Sequence, residues 1–305
     1  MKPILRSYFY RLFREKAFYI ELGILFGLSL IIASLVRGVA YANGEDIGFE
    51  RAVLTAFTGG QFMGGAAIPW LNVFFFVIFG AVRYRKETAS GALRNYIVSG
   101  YSRKQIYNAL YIGNMVFYLF LTASIVFGVI LPFIGAPNGL SGDAVGPFLA
   151  AIGLSFLVQF AFVTFVYFSF VLMQGHGFAS TFGILVYVGL SLISMIIVFV
   201  VSFNLTSITI DVGKGVLTGI GFLPNSVLNA FSSGKLSGAP QGGLMPLVLV
   251  DPSSESGQQA MATLQAVNGA DYTVSNVISA FISIALFGVG SYFLGMWINS
   301  RRDLK

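Results

Sequence analysis

The chain has 305 residues, of which 56% are apolar and only 10% charged, with 31 Phe, no Cys and one His. A soluble domain carries about 25% charged residues, so the composition excludes an ordinary water-soluble fold and points to a bilayer. The missing Cys excludes a disulfide framework and a thiolate metal site, and the lone His176 excludes a multi-histidine centre. The net charge of +6 sits at the ends of apolar runs, with no continuous basic face, which argues against nucleic acid as a partner.

The opening "MKPILRSYFYRLFREKAFYIE" interleaves five Lys/Arg with aromatics. This is unlike a cleavable signal, which has a short basic start, an apolar stretch and a small-residue cleavage site. It reads as an amphipathic helix over residues 1–16. Ile4, Leu5, Tyr8, Phe9, Leu12 and Phe13 fall on one half of a helical wheel, and Arg6, Arg11 and Arg14 fall on the other. Such a helix lies in the headgroup plane of a membrane.

Six apolar spans follow, at 17–36, 62–82, 106–134, 148–173, 178–203 and 274–298. Each is about 20 residues or longer, enough at ~1.5 Å per residue to cross the hydrocarbon. The second must recruit "FMGGAA" and carry Pro69 near one end. Between the fifth and sixth lies a large segment, 204–273. Its stretch 215–231 reads as a half-inserted or surface segment, because it is short and contains Pro224. With the N-terminus inside, fourteen Lys/Arg face the cytoplasm and four face outward, and both termini are cytoplasmic. The expectation is an all-α integral membrane protein in a single domain spanning 1–305.

Little in these spans carries chemistry. The third to sixth hold no charge; Asn114 and Gln159 are expected to make interhelical hydrogen bonds, and Glu21 to reach the interface near the end of the first span. No nucleophile elbow, carboxylate pair or metal ligand set is present, so no catalytic residue and no metal are expected on this chain. The phosphate-loop pattern needs glycines ahead of a Gly-Lys-[Ser/Thr], and Gly213-Lys214 and Gly234-Lys235 both lack it. "LSGAPQ" at 236–241 is a loop without such company. An ATPase, if one powers the protein, is another chain.

The remaining feature is a basic island at 83–107, "RYRKETASGALRNYIVSGYSRKQIY", with six cations and one acid. Thr88 or Ser90 is placed to start a short helix and Gly100 to stop it, with Leu93, Tyr96 and Ile97 on one face. Ser102 is placed as the N-cap of the third span. Arg83, Arg85 and Lys86 read first as positive-inside anchors.

The pattern "E-x-x-x-G-x-L-R-N" followed by "S-G-x-S-R-x-x-I-Y" resembles the loop between the second and third spans of ATP-binding-cassette type-2 (ABC-2) permeases. Its second half is similar to bacterial exporters of the bacteriocin, lantibiotic or bacitracin self-protection kind. The elbow helix at 1–16, six spans, cytoplasmic termini and an outer region at 204–273 agree with that type V exporter architecture. The resemblance implies a coupling loop at 83–105. In it Glu87 pairs with basic residues at the inner ends of the spans, and Gly91 permits close approach of the short helix. Leu93 and Tyr96 belong to its packed face, Arg94 contacts the ATPase or the elbow, and Gly100, Ser102 and Arg103 form the turn and cap back into the bilayer.

The resemblance further implies a bacterial plasma-membrane permease that works as a dimer with a second copy or paralogue. Its partners are membrane lipids and a cytosolic ATP-binding-cassette ATPase, which carries the ATP and Mg; this chain has no cofactor and binds no nucleic acid. A path along the first, second and fifth spans implicates Gly23 and Gly27, Gly60 and Gly64, and Asn72, Phe75, Phe76, Phe79, Phe182 and Tyr187. A hydrophobic or amphipathic peptide, drug or lipid moving outward suits aromatic walls. The alternatives are an ATPase-independent channel or scaffold, and an ion-coupled transporter.

Overall fold

Apolar side chains recurring every three to four residues dictate helices throughout. The structure, a computed structural model, describes residues 1–42, 48–50, 52–53, 68–136, 145–173, 223 and 276–301. Among these there is no strand. The helices are α1 (Lys2–Arg14), α2 (Lys16–Ala42), α3 (Ile68–Ala89), α4 (Ala92–Val98), α5 (Arg103–Ile130), α6 (Val145–Leu172), α7 (Asn276–Ser283) and α8 (Ser291–Arg301). A π-helical turn, Ile284–Gly290, joins α7 to α8 as one continuous rod.

Four stretches among the described residues are long and apolar enough to cross a membrane: Lys16–Ala42, Arg103–Phe133, Phe148–Leu172 and Val277–Arg301. They coincide with the first, third, fourth and sixth expected spans. The second span begins in residues outside those described, and α3 is its described part. The fifth span at 178–203, the outer segment at 204–273 and the stretch 215–231 lie almost wholly outside them, Leu223 alone excepted.

Helix α5 is the centre of the bundle, and its 28 residues bury side chains on several faces. Helix α2 lies along one side of it. Ser124 Oγ donates to the Leu22 carbonyl at 2.7 Å, and Arg37 donates to the Pro132 carbonyl beyond the far end of α5. The opposite side of α2 shows Ile20, Ile24, Ile31, Leu35 and Val39 uncovered by protein. That is a lipid-facing surface if the helix spans a bilayer. Helix α3 packs on α5 and α6 through Phe76, which is fully buried against Tyr118 and Phe170. Gly288 of the π-helical turn would bring a Cβ to 3.0 Å from that of Ala161, so the last rod fits closely on α6.

Helix α1 buries Ile4, Tyr8 and Leu12, one residue per turn, as its amphipathic pattern requires. It lies against α5 at Gly113, where a Cβ would stand 2.7 Å from the Tyr8 ring. The ring of Phe13 meets Phe120 edge-on at 5.7 Å. A single extended residue, Glu15 (φ −75°, ψ 119°), separates α1 from α2. The joint is short, so a displacement of α1 is carried directly to the start of α2.

The island at 83–107 folds differently from expectation at its first turn. Helix α3 continues to Ala89, so Thr88 and Ser90 lie at its C-terminus, where carbonyls and not amides are unpaired. Their hydroxyls donate back to the Arg85 and Glu87 carbonyls, at 2.9 and 3.2 Å, and neither caps α4. Gly91 stands at the N-cap of α4, in the left-handed region at φ 70°. Nothing lies within 4 Å of a Cβ placed there, so glycine serves the backbone angle and not a close approach.

The far end of α4 is a Schellman stop. Gly100 at φ 84° donates its N–H to Ile97 at 2.9 Å, and Tyr101 donates to Tyr96 at 3.1 Å. The rings of Tyr96 and Tyr101 meet edge-on across this turn. Ser102 then caps α5. Its hydroxyl accepts from the Gln105 amide at 3.3 Å, and the Gln105 side chain accepts from the Ser102 amide at 3.0 Å.

Candidate functional site

At the basic end of the bundle α1, the end of α3, α4 and the start of α5 meet through charge. Arg83 is its hub. It sits one residue past the apolar run of α3 that ends at Val82, and it is only 6% exposed. Its guanidinium donates to Glu15 at 2.9 Å and to Glu21, both across the joint between α1 and α2. The cation also stacks 4.4 Å from the centre of the Phe117 ring on α5 and 5.7 Å from that of Phe18 on α2. Lys86 adds a longer pair to Glu15 at 3.5 Å. A planar fork is needed to reach two carboxylates while lying flat on a ring, and lysine has none.

A second contact joins α1 to α3 and α4. Arg11 donates to Glu87 at 2.8 Å and to the Tyr96 hydroxyl at 3.0 Å. Wheel geometry places Arg11 on the polar half of α1, yet it turns inward, because a buried carboxylate waits beside it. Burial pushes the Glu87 carboxyl above the usual carboxylate range, against the opposing pull of Arg11. The Tyr8 phenol is likewise pushed up by burial.

The sign for Glu87 follows from linkage. Its folded pKa exceeds its unfolded value near 4.5, so its contribution to stability is full below 4.5 and is lost as pH rises through the folded value. Glu87→Gln is therefore expected to remove this residue's share of any rise in melting temperature on acidification toward about pH 4.5. Equal pH slopes in the two proteins would contradict the assignment.

The expected coupling residues sort themselves by contact. Glu87, Leu93 and Tyr96 are turned into the protein, with Leu93 8% exposed. Leu93 closes over a cavity of about 10 Å³ walled by Tyr84, Tyr107, Tyr167 and Asn299, a space too small for any organic ligand. Gly91, Gly100 and Ser102 are backbone devices. Arg103 is held against the last helix: its guanidinium reaches the Ser300 carbonyl at 3.5 Å, and Asn299 donates to the Arg103 carbonyl at 3.3 Å. Arg94 is exposed and makes no hydrogen bond or ion pair among the described residues. With Asn95 and Val98, the latter 81% exposed, it forms the outward face of α4.

The expected path residues separate in the same way. Asn72 donates to Thr122 at 2.7 Å and is buried, and Phe76 is core. Phe75 and Phe79 are half-buried and stack on each other at 5.5 Å. Gly60, Gly64, Phe182 and Tyr187 lie outside the described residues. Gly23 and Gly27 have nothing within 4 Å of a Cβ, so no helix among the described residues closes on them. Gln159 accepts from Tyr118 at 3.0 Å, an interhelical bond as expected, but Asn114 donates to Leu110 of its own helix.

Sequence reasoning missed the hub. Arg83 was legible only as an anchor at a membrane boundary. The signal that points to more is Glu21, a carboxylate placed inside an apolar helix, which requires a counter-charge within the fold. Glu21 is 13% exposed as a side chain and pairs with Arg83.

Helical structure throughout the described elements, with four apolar helices of membrane-spanning length, defines a multi-pass membrane protein. Comparison with protein-family models, with curated proteins and with solved structures gives no match.

Proposed function

We propose that the chain is the membrane-spanning permease subunit of an ATP-binding-cassette exporter of the ABC-2 kind. It moves a hydrophobic or amphipathic substrate, such as an antimicrobial peptide, drug or lipid, out of a bacterial cell. A separate cytosolic ATPase supplies the energy, and the permease works as a dimer with both termini in the cytoplasm.

The observation that carries this reading is the two-sidedness of α4. Its inner face is fastened to α1 through Tyr96, Arg11 and Glu87, while Arg94, Asn95 and Val98 are bare on the other. A seven-residue helix cannot hold its own shape in water. It is stopped at Gly100 and held to the bundle through Leu93 and Tyr96, as a part that bears load from a partner needs to be. The contacts lead through Arg83 to the first turns of α2. A push on α4 therefore reorients α1 and α2 together, and one side of α2 leaves Ile20, Ile24, Ile31, Leu35 and Val39 exposed.

The test is co-purification with the ATPase encoded for this permease. Arg94→Glu is expected to lower the retained ATPase at least about tenfold, the scale of losing a hydrogen-bonded charge at an interface. The permease itself should stay folded, because Arg94 is exposed and makes no hydrogen bond or ion pair among the described residues. Full retention and full ATP-driven transport in Arg94→Glu would overturn the reading. Arg103→Glu is less clean, since it also disturbs the last helix.

A second reading, an ion-coupled transporter, is favoured by one observation, the carboxylate of Glu21 buried among apolar helices. Its own cation neutralises it, which suits a fixed structural pair better than a proton carrier. Transport driven by a proton gradient in vesicles without nucleotide would favour this second reading.

A further inference from the structure

The inner face of α1 is spoken for, and its outer face is not. Lys2, Arg6, Tyr10 and Arg14 recur every fourth residue along the exposed side, and Lys16 follows across the joint. None of these cations makes an ion pair among the described residues. The pairs run instead between Glu15, Glu21 and Glu87 and three other cations, Arg11, Arg83 and Lys86. The first 42 residues contain no acid besides Glu15 and Glu21. The described residues thus supply this face with no counter-charge.

Exposed rings border this face. Tyr10 is 58% exposed, Phe13, whose ring also meets Phe120, is 43% exposed, and Tyr19 at the start of α2 is 57% exposed. Arg14 lies over the Tyr10 ring at 4.7 Å, and the Tyr19 hydroxyl donates to the Phe13 carbonyl at 3.0 Å, so the rings are ordered. Exposed rings alternating with guanidinium groups suit the boundary between acyl chains and headgroups, where rings find apolar contact and cations find phosphate. Connectivity puts them there, since one residue separates α1 from an apolar helix of membrane-spanning length.

We propose that the outward face of α1 binds anionic phospholipid headgroups, selecting a net negative lipid over a zwitterionic one. Arg6 and Arg14 grip phosphate oxygens as forks, and Lys2 and Lys16 add charge. Tyr10 and Phe13 hold the helix at the depth where those groups reach the lipid. This holds for any multi-pass protein with this α1, so it stands or falls independently of the exporter reading.

The test uses the full-length protein, purified in mild detergent and reconstituted in bilayers of equal phosphatidylglycerol and phosphatidylcholine. The lipids that remain bound after re-extraction are counted by native mass spectrometry. Wild type is expected to retain phosphatidylglycerol over phosphatidylcholine by about tenfold, given that each basic residue near an anionic surface favours it severalfold. Lys2→Gln/Arg6→Gln/Arg14→Gln is expected to bring the ratio near one, Arg6→Gln alone to lower it partway, and Lys104→Gln on α5 to leave it unchanged. The single variant keeps the test decisive if the triple variant is not monodisperse. Equal retention in wild type, or an undiminished preference in both α1 variants, overturns the proposal. So does loss of the preference when inorganic phosphate replaces chloride at equal ionic strength, which assigns the face to free phosphate.

Discussion

Arg83→Leu is expected to lower the unfolding free energy by about 3–5 kcal/mol, the usual consequence of removing one partner of a buried ion pair. Leucine leaves the Glu21 carboxylate without a cation and Glu15 with only the longer Lys86 pair at 3.5 Å, at a position only 6% exposed in the native protein. It also removes the cation from the rings of Phe117 and Phe18. Arg83→Lys is expected to recover less than half of the loss, because an ammonium cannot serve both carboxylates and lie on a ring. Arg83→Leu/Glu21→Gln is expected to recover more, since it deletes the more deeply buried orphan charge. Melting in detergent, followed by intrinsic fluorescence, measures all three. A single substitution that costs less than about 1 kcal/mol, the scale of an exposed pair, would show that the hub is not closed in solution.

The second large effect is steric. Gly113→Val is expected to detach α1 from the bundle. A first carbon there already stands 2.7 Å from the Tyr8 ring, and that ring is 4% exposed and has no room to retreat. Overpacking of this sort costs about 1–3 kcal/mol, and the added branches of valine put this variant at the upper end. The contact is carried by a flat ring, so Tyr8→Ala/Gly113→Val is expected to be more stable than Gly113→Val alone. Limited proteolysis after Arg6 or Arg11 reads the result: rapid cleavage in Gly113→Val, slow cleavage in wild type and intermediate cleavage in the double variant. Equal protection in all three would contradict the packing of α1 on α5.

Much of the fold was legible because its signals are local. Apolar length marks the helices that span, and the alternation of Ile4, Tyr8 and Leu12 with cations marks α1. The Ser102 and Gln105 capping box is written in four consecutive residues, and Gly100 marks the stop of α4. The start of α4 was misplaced because hydroxyls suit either end of a helix: Thr88 and Ser90 accept from amides at a start, or donate to carbonyls at a stop. Which they do depends on where the preceding helix ends, and the charged turn Arg85–Glu87 extends α3 farther than its apolar content alone indicates.

The charge hub was not legible because its members are distant in sequence. Glu15 and Arg83 are 68 residues apart, and Arg11 and Tyr96 are 85 apart. No spacing rule connects them; only the packing of α1 on α5 does, and that depends on a glycine, Gly113, whose neighbours carry no motif. The helix wheel assigned Arg11 to solvent by angle alone. A long side chain near a helix end can turn against its wheel position when a buried carboxylate lies within reach. Substrate-path residues suffered the same limit, since a phenylalanine that lines a conduit and one that fills a core are identical in sequence. Contact separates Phe76, which is core, from Phe75 and Phe79, which retain an open side.

The central claim is that α4 hands force from an ATP-hydrolysing partner to α1 and α2. Placing a photo-crosslinking amino acid at Val98, on the bare face of α4, tests it most directly in native membranes. The predicted result is an adduct with a cytosolic polypeptide that itself hydrolyses ATP, formed in wild type and lost in Arg94→Glu. Adducts with lipid alone, or with no nucleotide hydrolase under conditions where cargo is moved, would contradict it.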